Sequence, residues 1–542
     1  MSWPPGENAS QPASTAIVRS LFVLILAYAA WYIVLALGFP LARIINCLLD
    51  DSFYYLQVAR HVAAGHGSTF DGIEPTNGYH PLWMWMLVPV CAATQGDPEW
   101  SLRIALLVTG AVGVALLLQL CSVLVREAGP WSAALGLVLF AWPRFFWQTA
   151  DLLESSLLLF LQFLLFSRLC ADGEPGGRSR PFVTGLLLGL ICLTRLDSVF
   201  LLLAWVGYAA WEAVRRPSNR GRLPSRDLIS IGTTLIVVLV IVSPYLLWNL
   251  ARFGHVVPIA GAMKSSFPRV SPHWAWLWTF PDFNLLLLLG AGFAASALRP
   301  SASRMVRTLG VFGLTAVFQM AYLVLFVDWG VDRWYFTPLI PVALVGLPWL
   351  TRGLVTALAR RPRLAWAALA LAMLAGGAAQ ARALRVRDTR CLSATAELAR
   401  WAGAHLPRGS VVAATDSGVF AWFSGLTTVN LDGLINNWRY RDALRSGRLH
   451  SYLRERGVGY FLDQYSARHP DWLAGTYVSR RVKIWYHPEH RIAGLIEVRR
   501  ADEVRRINVV ASLAQGQPPE PNAIILWSYH GGVDLVPTER LE

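Results

Sequence analysis

The sequence predicts a polytopic α-helical membrane protein with a C-terminal soluble α/β domain. Three observations predict it. Hydrophobic residues make up 55% of the 542 and charged residues only 15%, against about 25% charged in a soluble domain. Apolar segments recur through the first 379 residues, with arginine-rich loops between alternate ones. After Ala379 the long apolar runs stop, and helical periodicity alternates with short β-rich runs.

Taken in order, residues 1–16 are rich in Pro, Gly, Ser, Asn and Gln and are expected to be disordered. Apolar segments then fall near 17–39, 102–125, 131–148, 152–169, 181–194, 198–214, 228–250, 275–297, 307–327, 334–350 and 364–379, about 11 transmembrane helices. The first run leads into an acidic motif with no small-residue cleavage site, so it reads as a span, not a signal peptide. The stretch 82–94, LWMWMLVPVCAAT, is too short to cross and suits an interfacial or re-entrant helix.

The loops orient the chain. With the N-terminus cytoplasmic, the inner loops hold Arg126, Arg168, Arg178, Arg215, Arg216, Arg299, Arg352, Arg360 and their neighbours. The outer loops hold few cations and many carboxylates. That asymmetry obeys the positive-inside rule, and counting 82–94 as a span would invert every later loop. It makes residues 17–387 the transmembrane domain, with a first outer loop at 40–81. Residues 388–542 become an extracytoplasmic α/β domain of ordinary size. Within it, VVAAT and TTVNL read as strands, and SYLRERGVGYFLD as a helix followed by a strand.

The net charge of +14 is almost all arginine, since Lys264 and Lys483 are the only lysines. Because the arginines sit between apolar segments, the charge is topological, and no basic–aromatic groove suggests nucleic acid. The six cysteines show no CxxC spacing and are expected to be small core residues.

The chemistry concentrates on one face. Residues 48–83 read LLDDSFYYLQVARHVAAGHGSTFDGIEPTNGYHPLW. They present Asp50 and Asp51 where the first span leaves the lipid, followed by an amphipathic segment and by His61, His66 and His80. Asp151 and Glu154 fall between segments 3 and 4, Arg195 and Asp197 between 5 and 6, Arg252 and Lys264 after segment 7, and Asp328, Asp332 and Arg333 before segment 10. Charges at bilayer depth are costly and usually functional. A carboxylate there can take a proton from a hydroxyl, and a cation can hold a phosphate. Asp151, Glu154, Arg195 and Asp197 could equally pair to hold helix ends together. Lys264 could snorkel, and Arg333 could anchor a helix end. The histidines lack HxxxH-type metal spacing.

The first outer loop, with its acid pair, its SFYYLQVARHVAAG and its NGYHPLW entry into a short apolar helix, resembles that of GT-C glycosyltransferases. These include protein O-mannosyltransferases, the lipid A aminoarabinose transferase and bacterial arabinofuranosyltransferases. The resemblance implies that Asp50 is the catalytic base and Asp51 its partner. DLLESSLLL resembles the family's acidic turn and supplies Glu154. DRWYFTPLIP resembles its Arg-aromatic-Pro signature and supplies Arg333 for the lipid phosphate. RFGHVVPIAGAMK resembles a loop of bacterial members and supplies Arg252 and Lys264. The candidate substrate-binding set is Glu154, Arg195, Arg252, Lys264, Arg333 and His80.

The resemblance covers residues 17–379, and 390–440 resembles the extracytoplasmic part of many bacterial members. It departs at Asp51, where the mannosyltransferases have Glu, and this leaves a divalent cation open as a cofactor. What it implies is a bacterial inner-membrane glycosyltransferase. Such an enzyme moves a sugar from a polyprenyl-phosphate donor to a hydroxyl of a cell-envelope glycan, lipid or protein. Its partners would be that donor, that acceptor and membrane lipid. The alternatives are a glycan ligase or polymerase using a lipid-pyrophosphate donor, and a lipid-sugar transporter or flippase. A transporter predicts internal repeats and charges near the midplane, and neither is visible in the sequence.

Overall fold

A computed structural model describes residues 11–171, 180–215, 225–279, 281–387, 391–466, 478–487, 491–511 and 520–531. The architecture is a helical bundle followed by a sheet-containing C-terminal region. Among the described residues six helices are long and apolar enough to cross a membrane: Thr15–Gly38, Pro98–Ala128, Leu196–Arg215, Arg226–Phe253, Arg304–Phe326 and Pro362–Leu384. Two bent pairs raise the number to eight, Pro143–Ala150 with Ser155–Ala171 at 108° and Val342–Leu350 with Arg352–Ala359 at 58°. Four further apolar helices are shorter than a span, Pro81–Ala93 among them.

By this measure the chain is a multi-pass membrane protein with six to eight candidate spans, short of the eleven expected. Proline accounts for much of the difference. Pro143 ends the Pro130–Ala141 helix and starts a separate one, so the apolar run 131–148 is not one rod. The run 334–350 likewise breaks into a 3₁₀ segment, a π turn and a short helix around Pro338, Pro341 and Pro348. Hydropathy windows read through such breaks. At the N-terminus the first helix starts at Gln11, so residues 11–16, expected disordered, are helical, and residues 1–10 lie outside the described residues.

The C-terminal region has seven strands: β1 (Val411–Ala414), β2 (Thr427–Asn430), β3 (Val458–Ser466), β4 (Ser479–Tyr486), β5 (Arg491–Arg499), β6 (Glu503–Ala511) and β7 (Glu520–Ser528). VVAAT and TTVNL therefore form β1 and β2, and the helix-then-strand reading of SYLRERGVGYFLD becomes Leu449–Glu455 and β3. Five strands form one sheet in the order β2-β1-β3-β7-β6. Its β1 is parallel to β2 and β3, while β7 runs antiparallel to β3 and β6. The β4–β5 pair is a separate antiparallel ribbon.

The first-loop helix, Asp50–Ala63, lies between the bundle and this region. Its sequence reads as amphipathic, but Ser52 to Ala59 are all buried, so no face is left to water. The C-terminal region's helix Gly418–Ser424 packs against it. Arg60 stacks on the Trp422 ring at 4.4 Å and donates to its carbonyl at 3.1 Å. Arg456 binds both Asp71 and Glu74 of the first loop, and Thr76 donates to the Asn436 carbonyl at 2.7 Å. Loop and C-terminal region thus share one face. Cysteines placed at Ile73 and Val478, 62% and 84% exposed, should both react with a membrane-impermeant maleimide added to one side of sealed membranes. Labelling of one without the other would break this arrangement.

Candidate active site

The acid pair opens the Asp50–Ala63 helix, where the helix N-terminus favours negative charge. Adjacent helical residues project in different directions, and the two carboxylates have different surroundings. Asp50 is bound at both oxygens. Gly418 N–H donates to Oδ2 at 2.7 Å and Val419 N–H to Oδ1 at 2.8 Å. The fit needs glycine at 418, since a Cβ there would collide with the Asp50 carbonyl oxygen. Burial pushes the Asp50 carboxyl up to about 7, with the two amides pulling against it.

Asp51 has a different set of charged neighbours. Burial raises its carboxyl above the usual carboxylate range, Lys264 opposes this, and Glu154 and Asp332 reinforce it. Lys264 ends the short helix Ile259–Lys264, with its Nζ 5.5 Å from the centre of the Tyr335 ring. Burial would lower Lys264, but Tyr335 and Asp51 hold it above its ordinary value. That helix is fixed by the first loop. Asn77 accepts from Ile259 N–H at 3.0 Å and donates to Asn249 at 3.1 Å.

Glu154 sits in the 108° turn between Pro143–Ala150 and Ser155–Ala171. The turn holds Leu152 at φ 55°, a backbone state that costs a non-glycine residue about 1–3 kcal/mol. Its carbonyls are anchored by Ser52 to Asp151 at 2.5 Å and by Trp83 to Leu152 at 3.2 Å. Glu154 accepts from Arg195 Nη1 at 2.7 Å and Tyr55 OH at 2.8 Å, with His80 Nε2 at 3.7 Å. Arg195 also grips Asp197 through Nε at 3.1 Å and Nη2 at 2.8 Å. The helix-end pairing read as an alternative is therefore present. Arg195 is balanced by two carboxylates, and Lys264 is a cation set against Asp51.

Arg252 is exposed on the last turn of Ser225–Phe253, and among the described residues no hydrogen bond or ion pair joins it to this group. The side chain of Arg333 lies outside the described residues. His273 reaches Asp328 at 2.5 Å, and the Asp328 N–H donates to the Lys264 carbonyl at 3.0 Å.

Sequence reasoning missed two carboxylates from the C-terminal region, Asp416 and Asp432. The Asp416 N–H, Tyr54 OH and Asn430 Nδ2 all donate to Asp432 Oδ2, at 2.9, 3.1 and 3.2 Å. Burial pushes Asp432 up to about 6 against these bonds. Asp416 has φ 40°, left-handed for a non-glycine residue. A signal existed in Thr415-Asp416-Ser417-Gly418 and Leu431-Asp432-Gly433, turn chemistry following predicted strands. Among the described residues no three His, Cys, Asp or Glu side chains form a metal-binding group.

Comparison with known proteins adds the following. A family model described as a domain of unknown function, DUF8728, matches residues 381–514. No curated protein matches the chain by sequence. The crystal structure of ArnT from Cupriavidus metallidurans, bound to undecaprenyl phosphate, superposes with a TM-score of 0.55 at 13% identity, covering 91% of this chain and 98% of that one. The apo oligosaccharyltransferase of Archaeoglobus fulgidus superposes at 0.50 with 11% identity, covering 84% of this chain and 70% of that one. Both are GT-C superfamily enzymes. At such identities the likeness is one of fold, and it supports the GT-C resemblance carried by the first loop.

Proposed function

We propose that the protein is a membrane glycosyltransferase that moves a sugar from a polyprenyl-phosphate donor to a hydroxyl of a cell-envelope acceptor, on the membrane face bearing the acid pair. The observation that carries this reading is the contrast between the two acids. Asp50 is tied up by backbone amides, whereas Asp51, with a raised affinity for protons, is paired electrostatically with the half-buried Lys264. The GT-C fold, shared with an enzyme that binds undecaprenyl phosphate, supports the donor class. Setting this face outside a bacterial inner membrane rests on the arginine asymmetry of the loops.

In this reading the acceptor oxygen attacks the anomeric carbon while Asp51 takes its proton. The bond from that carbon to the phosphate oxygen breaks, and the electron pair leaves with the polyprenyl phosphate. Lys264 holds the phosphate through a charge-assisted bond. Tyr335 lies beside Lys264 and Arg195, with Arg195 5.9 Å from its ring centre. Asp50 positions Asp51 by fixing the helix start. The Glu154–Arg195–Asp197 group, with His80 at its edge, shapes the sugar side. Asp416 and Asp432 face the acceptor from the C-terminal region.

The test is transfer by the purified protein from a panel of labelled polyprenyl-phosphate sugars to envelope extracts, read beside mass spectrometry of envelope glycans from a deletion strain. Release of polyprenyl phosphate coupled to a new glycosylated product is expected. Movement of intact lipid-sugar across vesicles without transfer would overturn the reading in favour of a flippase. Lys264→Ala should weaken donor binding by about 1–3 kcal/mol, the range for bonds to charged groups. Titration of a non-transferable polyprenyl phosphate measures this, and unchanged affinity would return Lys264 to an anchoring role.

A further inference from the structure

The face opposite the acid pair carries its own charged feature. A cavity of about 720 Å³ lies between the end of Pro98–Ala128 and the helix Arg352–Ala359, and Arg126, Arg352, Arg360 and Glu127 line it. Glu127 lies 3.5 Å from Arg126 Nε. Three arginines against one carboxylate leave the lining with two positive charges in excess (3 − 1). Arg352 also stacks on Trp349, with its guanidinium carbon 3.9 Å from the ring centre.

The Arg352–Ala359 helix is unusual in its setting. None of its eight residues is buried. The chain bends 58° to enter it from Val342–Leu350, so it turns out of the bundle. Leu354 and Leu358, four apart and so on one face, are 74% and 37% exposed, and Leu350 just before the helix is 50% exposed. Gly353, Thr356, Ala357 and Arg360 line the cavity instead. A short helix with leucines on one side and arginines at its ends is built to lie in a membrane interface.

We propose that this cavity binds the phosphate-bearing headgroup of an anionic phospholipid in the leaflet on the arginine-rich face. Its acyl chains would lie along Leu350, Leu354 and Leu358. The guanidinium fork matches phosphate oxygens in geometry and charge. Basic pockets between spans are headgroup sites for anionic lipids. A free anion would satisfy the arginines and leave the leucines without a partner, whereas one lipid molecule serves both. The inference is independent of the transferase reading, since it uses none of the acid-pair residues.

The experiment is native mass spectrometry of the full-length protein in detergent, titrated separately with phosphatidylglycerol, phosphatidylcholine and inorganic phosphate. Phosphatidylglycerol should bind about tenfold more tightly than phosphatidylcholine, in line with the attraction of a few basic residues to an anionic headgroup. Arg352→Gln combined with Arg360→Gln should erase that preference. Arg352→Lys combined with Arg360→Lys should keep part of it and serves as the control for folding. Equal affinity for the two lipids, an unaltered preference in the glutamine variant, or displacement of phosphatidylglycerol by an equal concentration of inorganic phosphate would each overturn the proposal.

Discussion

Asp51→Asn should lower turnover by about 10²–10⁴, the usual worth of general acid–base catalysis, while leaving donor affinity nearly unchanged. Asparagine keeps the size and the hydrogen-bonding shape and removes the base. A group that acts on the acceptor proton contributes in the transition state, so the loss should appear in kcat and not in donor binding. The pH profile adds an independent reading. Burial raises the Asp51 carboxyl, and a base works only when ionised. Activity should therefore decline as pH falls through a value above the ordinary carboxylate range, and Asp51→Asn should lack that acid limb. Asp50→Asn should behave differently, because an amide oxygen still accepts one of the two N–H donors. Its loss should be smaller and accompanied by a lower melting temperature. If Asp50→Asn is inactive with an intact fold while Asp51→Asn turns over, the base is Asp50, as the family resemblance implies.

Arg195→Met should destabilise the folded protein by about 3–5 kcal/mol, the cost of removing one partner from a buried ion pair. The side chains of Arg195 and Glu154 are 6% and 3% exposed, and the substitution strands the charge of Glu154 in the interior, while Asp197, 25% exposed, keeps access to water. Adding Glu154→Gln should recover part of the loss, since the amide carries no charge and still accepts from Tyr55. The midpoint of thermal or detergent-induced unfolding of the purified variants measures both effects. An unshifted midpoint for Arg195→Met would show that the group contributes nothing to stability.

Much of this arrangement was legible in the sequence, for reasons that differ by element. The acid pair stood out because a span ends beside it. Val411–Ala414 and Thr427–Asn430 were readable because β-branched runs bounded by turn residues have a strong local signal. Lys264 drew notice through its rarity in an arginine-rich chain. The division of labour within the pair was not readable, because it depends on Gly418 and Val419, 368 and 369 residues away. Asp416 and Asp432 escaped for the same reason. The 108° turn beside Glu154 was hidden as well. Hydropathy reports what a residue prefers to touch and carries no record of a chain's change of direction, unless a proline marks it as at Pro143.

The amide clasp on Asp50 bears on modularity. A C-terminal region of this size, joined after a last apolar helix, resembles a cassette that evolution or an engineer could exchange to retarget the enzyme. Here the seam runs through the proposed reaction centre. Gly418 admits Asp50, and a Cβ at Gly78 would collide with the Leu434 carbonyl on the far side of the same junction. A graft would have to bring its own matching first loop. Retargeting by exchange is therefore a problem of moving two distant stretches of sequence together, and a chain cut after residue 387 would lose the geometry of its first loop along with whatever the removed part selects.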